Sequence, residues 1–389
     1  MFNRTRFALA RKRRGLTKRT LAVDVGVTER SISAYESGAT HPEKETVIKI
    51  AQVLRFPESF FFADDVDELT PDIASFRAMT KMTAGQRDMA LSSGAIALML
   101  NDWLEDRFSL PSPNLPDLGR TGNGDVHRAR SKIERSSEGD AFPAQGNEHD
   151  PEACAEALRE FWGIGELPIK NMITLLEAHG IRVYSLAIDA REVDAFSMWH
   201  NDKPFVFLNT NKTAERCRFD AAHELGHLVM HRHGAPHGQE AEREANAFGS
   251  AFLMPRRSVL ANAPRAATLN SLVSHKKYWT VSAAALNYRL HSLGLTTAWN
   301  YRTLCIQLSE LGRNKEPEGA PFETSQILSK VFTALRDEGI TKFDVAKAIN
   351  VTPEEIDELT FGLMLNVLQG GKAAGDTAKT SQANLRLVQ

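Results

Sequence analysis

The sequence predicts a mainly α-helical protein with one small β-sheet, an α+β chain built in several pieces. Three observations carry that expectation. Apolar residues recur at helical spacing in one segment after another, opened by capping residues and often closed by Gly. Only three short stretches, all between residues 181 and 209, read as strands. A polar region rich in Gly, Pro and Ser interrupts the pattern from 111 to 150.

Residues 1–62 read as an all-α head of short helices. Gly15-Leu16-Thr17 ends the first helix and caps the second, which turns Leu21 and Ala22 inward. Gly26 suits the left-handed residue after that helix, and Thr28 caps the next, which carries Ile32 and Tyr35 and stops at Gly38. Pro42-Glu43 opens a fourth helix with Val47, Ile50, Ala51 and Leu54 on one face. Residues 63–110 form a connector, helical from 66, and 111–150 a disordered insertion. Order resumes in a domain over 151–312, with helices at 151–163 and 168–179, then strands at 181–186, 193–199 and 204–209. Pro204 at its start marks the last as an edge strand. Helices follow at 213–231 and 241–253, and 257–312 is mostly helical. A Pro/Gly break introduces a helical module over 313–370, and 371–389 is a disordered tail.

Charge is unevenly spread. Residues 1–62 hold twelve Lys/Arg against six Asp/Glu, a net +6, while the whole chain is −2. A compact basic segment on an acidic protein is the footprint of a nucleic-acid-binding module. The three cysteines are far apart and form no CxxC pair, which excludes a thiolate cage and suits a reducing cytoplasm. No secretory signal is recognisable and no apolar run is long enough to span a bilayer, so no membrane partner is expected.

The segment FDAAHELGHLVMH holds His223-Glu224-Leu225-Gly226-His227. Residues four apart share a helix face, so both imidazoles can meet one metal ion, with Glu224 beside them to take a proton from water. A third ligand is needed. Glu242 and Asn246, four apart on the following helix, offer a carboxylate and an amide that could orient a ligand imidazole. Glu244 would point about 200° away from Glu242 and be solvated. His233 has the spacing of a third histidine in the HExxHxxGxxH pattern, but Met230 stands where that pattern needs Gly. Glu244 and His233 stay open as rivals to Glu242, with His231 and His233 otherwise solvated at the helix end.

The text RFDAAHELGHLVMHRH with EREANAFGSAFLMP resembles the ImmA/IrrE family of metallopeptidases, the likeness being good over about residues 155–260. The resemblance implies a zincin-like core, with His223, His227 and Glu242 holding Zn2+ and Glu224 as general base. It also implies a protein substrate, a helix-turn-helix repressor. The N-terminus separately resembles the XRE (Cro/C1-type) helix-turn-helix through ARKRRGLTKRTLAVDVGVTERSISAYESGATHPEKETVIKIAQVL. That likeness implies a double-stranded DNA operator and a homodimer. Thr28, Glu29, Arg30, Ser31 and Ser33 would lie near base edges, and Lys18 and Arg19 near phosphates. Lys18 stands where the family often has Gln, which favours a charge contact. Two further readings are a transcription factor whose peptidase-like domain only senses, and an antitoxin. The module over 313–370 contains KFDVAKAINVTPEEIDEL, whose Glu354, Glu355, Asp357 and Glu358 would repel phosphate and point to packing or interaction instead.

Overall fold

The computed structural model describes residues 1–70, 74–76, 82–119, 150–186, 195–232, 238–312, 315–363 and 386–387. The helices in chain order are α1 Arg4–Arg13, α2 Lys18–Val25, α3 Glu29–Ser37, α4 Lys44–Leu54, α5 Ala84–Glu105, α6 Pro151–Phe161, α7 Met172–Ala178 and α8 Ala214–Met230. They continue as α9 Gln239–Leu253, α10 Arg256–Asn262, α11 Leu269–Trp279, α12 Ala283–Ser292, α13 Ala298–Glu310, α14 Gln326–Asp337, α15 Lys342–Ala348 and α16 Pro353–Leu359. Among the described residues six short strands accompany them: β1 Ala74–Phe76, β2 Phe108–Ser109, β3 Arg182–Leu186, β4 Ala195–His200, β5 Lys203–Asn209 and β6 Arg386–Leu387. The chain is thus mainly helical with little sheet, the class read from the sequence.

Two compact units divide the chain. The first takes Met1–Ser112, Val183–Asp194 and Thr324–Gln389, the second Pro113–Arg182 and Ala195–Glu323. In the first unit the capping chemistry sets the head. Thr17 accepts from the Thr20 amide and Thr28 from the Ser31 amide, so each side chain satisfies a backbone donor that the helix start leaves over. Gly26 and Gly38 close α2 and α3 in the left-handed region, where a side chain is strained. Phe7, Leu21, Ile32, Ile50, Leu54, Phe60 and Phe61 fill the core between the helices. Burial of each such side chain contributes about 1.5–3 kcal/mol.

The C-terminal module packs on this head through charge. Glu355 of α16 accepts from Arg13 Nε at 2.9 Å and from Arg14 Nη1 at 2.5 Å, and Arg13 also donates to Glu358. Arg14 additionally donates to the Leu54 and Arg55 carbonyls, closing the end of α4. The acidic face of α16 therefore meets two arginines of the basic run on α1. Ser185 of β3 completes this seam by accepting from the Phe361 amide at 2.9 Å and donating to the Glu358 carbonyl.

The connector differs from expectation. Residues 66–70 are not helical, and α5 starts only at Ala84, where Thr83 and Gln86 form a reciprocal capping box. The acidic run before it, DDVDELTPD, has no helical apolar repeat to bury, and its Pro71 disfavours helix in the residue before it. Most of the expected insertion (120–149), the end of the expected helical module (364–370) and most of the expected tail (371–385 and 388–389) lie outside the described residues. Residues 113–119 are described, and the Leu118 amide donates to the Val229 carbonyl at 2.8 Å. From the tail, Arg386 and Leu387 pair antiparallel with Ser109 and Phe108.

The second unit is built around α8, which is buried on nearly every side. β4 and β5 pair antiparallel from Ala195 opposite Leu208 to His200 opposite Lys203. Their tight turn places Asn201 and Asp202 at positive φ, which these residue types tolerate better than most. β5 is buried from Pro204 to Asn209, so it is not the open edge strand expected from Pro204. Arg218 of α8 donates to Glu323 and to the Ile169 carbonyl. The other Glu323 oxygen takes the Met172 amide at 2.7 Å, so one carboxylate caps α7 and ties it to α8.

Candidate metal centre

The site begins with a helix that its sequence allows to be approached closely. α8 starts at Thr213, whose hydroxyl accepts from the Arg216 amide, and continues without Pro or a β-branched run to Met230. Two glycines bring α9 against it. A Cβ at Gly249 would stand 3.2 Å from the His223 amide nitrogen, and one at Gly226 would stand 3.0 Å from the Phe248 ring. Both contacts are tighter than side chains ordinarily make, so Gly at these positions sets the α8–α9 separation. The sequence carries the signal in Gly226 and in the small residues of EANAFGSA, but only the crossing of two helices gives them meaning.

That crossing brings His223, His227 and Glu242 together. The two imidazole Nε2 atoms are 3.1 Å apart, and Glu242 brings Oε2 to 3.6 Å from His223 Nε2 and Oε1 to 3.3 Å from His227 Nε2. Among the described residues these three form a cluster in which one donor atom from each lies within 4.8 Å of the others. Ligands about 2.0–2.1 Å from a tetrahedral cation are about 3.3–3.4 Å from one another, so the observed edges suit such an ion. Two imidazole nitrogens and a carboxylate also supply lone pairs with no cationic side chain among them. The residues fit a metal.

His223 is fully buried, His227 nearly so, and Glu242 keeps a fifth of its side chain exposed, so the open side of the cluster lies at Glu242. Glu224 is also fully buried. Its Oε2 accepts from Ser197 Oγ of β4 at 2.7 Å, and the same hydroxyl reaches the Glu224 carbonyl at 3.3 Å. Sequence reasoning missed Ser197, because nothing along the chain links a strand serine to a helix 27 residues away. Asn246 donates to the Glu242 carbonyl at 2.7 Å, bracing the turn that presents the carboxylate.

Two neighbours differ from their expected solvation. His231 stands with its Nδ1 2.9 Å from His227 Nδ1 and its Nε2 2.9 Å from Glu244 Oε2. Glu244 does diverge from Glu242 around α9, but that direction leads to His231 at the end of α8 rather than to water. His233 lies outside the described residues. Burial, with Asp150 and Glu244 nearby, pushes the Cys154 thiol up to about 11, and burial pushes Cys217 up to about 12.

In the head, α3 presents Thr28, Glu29 and Arg30 to solvent, with Ser31 and Ser33 half-buried. Thr28 Oγ1 is 2.8 Å from Ser31 Oγ, so both hydroxyls serve the helix start. At the start of α2, Arg19 is exposed, while Lys18 Nζ sits 3.0 Å from Glu36 Oε2. Glu36 also accepts from Arg11 Nε at 2.6 Å, which locks α1 to the end of α3.

Fold and site together define a helix-turn-helix regulator carrying a peptidase-family domain. Residues 8–61 match the helix-turn-helix family model, and residues 176–291 match the model of the IrrE N-terminal-like domain, a peptidase family. The chain is therefore an XRE-type head fused to an ImmA/IrrE-like domain, as the two resemblances imply. The second match spans both α8 and α9, and so includes every residue of the cluster. No curated protein matches the chain. Among the described residues no helix is long and apolar enough to cross a membrane.

Proposed function

We propose that the chain is a DNA-binding transcriptional regulator whose peptidase-family domain is a zinc-dependent endopeptidase acting on a repressor-type protein. The observation that carries the reading is the convergence of His223, His227 and Glu242 with Glu224 on the same helix. A zinc ion held by those three residues would polarise a scissile carbonyl and make water a better nucleophile. Glu224 is the general base that takes the proton of the attacking water and returns it to the leaving amine. Ser197 donates to one oxygen of that carboxylate and so helps to orient it. The head would bind an operator as a homodimer, with Arg30 on the exposed face of α3 reading a base edge and Arg19 meeting phosphate.

One observation favours a second reading, in which the domain senses a ligand or partner without proteolysis, as a transcription factor or antitoxin. Glu224 has no exposed surface, so a peptide can reach it only after rearrangement. A reporter assay with two variants separates the readings. Glu224→Gln should retain zinc, abolish cleavage of the neighbouring repressor and abolish the regulatory response. Arg30→Ala should weaken operator binding by about 1–3 kcal/mol while cleavage persists. A Glu224→Gln protein that still regulates as wild type would exclude the proteolytic reading.

A further inference from the structure

We infer that the outer face of α13 is a self-association surface, on which a second copy of the chain lays its own α13 antiparallel. The inference deepens the homodimer part of the reading above and uses neither the metal nor operator binding. It starts from how little α13 buries. Over Ala298–Glu310 only Leu304 is buried. The inner side is fixed on α12, where Asn287 Nδ2 donates to the Tyr301 carbonyl at 3.2 Å and the His291 and Tyr301 rings stack with centroids 4.5 Å apart.

The outer side carries Trp299, Arg302, Ile306 and Glu310, which follow one another at intervals of three and four residues and so share one helix face. Trp299 is 75% exposed and Ile306 61%, and both charged residues are exposed. Apolar side chains scattered singly over a surface need no explanation. Trp, however, is among the residue types that most often anchor interfaces, and here it shares a face with a second large apolar group.

The charges select the occupant. Arg302 stands four residues before Ile306 and Glu310 four after it, and among the described residues neither has an ion pair. At a rise of about 1.5 Å per residue, each lies about 6 Å along the axis from Ile306. A two-fold axis through the contact at Ile306, perpendicular to the helix, brings Ile306 against its own copy. The same operation sets each Arg302 opposite Glu310 of the other copy, twice over. An isologous contact needs this self-complementarity, because one patch serves both sides. One cation and one anion leave the face without the net positive charge that a phosphate backbone attracts. A single helix pair is smaller than a standard interface, so the association is weak, with Kd about 1–100 µM.

Sedimentation velocity of the full-length protein without DNA, across that concentration range, tests the proposal. Wild type should show a monomer–dimer equilibrium. Arg302→Glu and Glu310→Arg each place two like-charged pairs in the contact and should weaken it about tenfold. Both changes in one chain restore opposite charges in reversed order and should return the wild-type constant. Trp299→Ala should weaken the dimer about 30-fold. These positions are exposed, so melting temperatures should stay at the wild-type value. A wild-type chain that remains monomeric would overturn the proposal, whether the face then binds DNA or a different protein. A dimer indifferent to the single variants, or a double reversal no better than either single one, would also overturn it. An intact dimer that binds no operator would strike the regulator reading and leave this interface standing.

Discussion

Replacing Glu355 by Ala should release α16 from the head. The carboxylate is 2% exposed and faces Arg13, itself 4% exposed, with Nε to Oε2 at 2.9 Å. Its other oxygen serves Arg14, but that guanidinium keeps the Leu54 and Arg55 carbonyls and stacks 4.8 Å over the Phe56 ring. The group left stranded is therefore Arg13. Removing one member of a buried pair costs about 3–5 kcal/mol, and the lower end applies because Glu358 remains within reach of Arg13. About 3 kcal/mol corresponds to roughly a hundredfold change in a local opening equilibrium. Hydrogen exchange should show the α16 amides losing about that much protection, while α8 in the second unit keeps its own. The paired variant Arg13→Met with Glu355→Met removes both charges and should recover most of the loss, since apolar replacements of a buried pair are often near neutral. Protection within threefold of wild type in Glu355→Ala, or strictly additive effects in the pair, would refute the reasoning.

Two further outcomes follow from the second unit. Burial lowers His179 to about 4, its ring stacks 3.9 Å from Trp162, and its Nδ1 accepts from the Asn114 amide at 3.1 Å. A value below the ordinary 6.5 means the neutral form is favoured, so this stabilisation is complete above about pH 6.5 and is lost as pH falls towards 4. Because the ring is only half-buried, about 1–2 kcal/mol is at stake, and His179→Gln should flatten the fall in urea midpoint between pH 7 and 4.5. Equal slopes for the two proteins would contradict this. Gly249→Ala would place a Cβ against the backbone of His223, which no rotamer change can relieve. It should cost about 1–3 kcal/mol and weaken metal binding, whereas Gly85→Ala, with nothing within 4 Å, should be neutral or stabilising. A Gly249→Ala protein with wild-type melting temperature and metal affinity would show that the helix spacing is not set there.

Much of this was legible along the chain because the signals are local. Thr17, Thr28, Gly26 and Gly38 mark helix ends by their own chemistry, and the observed head follows them within a residue. The His223–Glu224–His227 spacing works within one helix, so it too can be read without a fold. What failed depends on neighbours distant in sequence. Ser197 reaches Glu224 from a strand, Glu244 turns from water to His231, and Pro204 starts a strand that is buried rather than open. The role of α16 was half visible. Its acidic residues argued against phosphate contact, but only the packed structure places Arg13 and Arg14 opposite them.

Metal analysis of the purified full-length protein tests the central claim most directly. After exposure to zinc and removal of excess, wild type should retain about one zinc per chain, and Glu242→Ala should lose most of it while Glu224→Gln keeps it. Wild-type protein that emerges without stoichiometric metal, or Glu242→Ala that holds zinc equally well, would contradict the account.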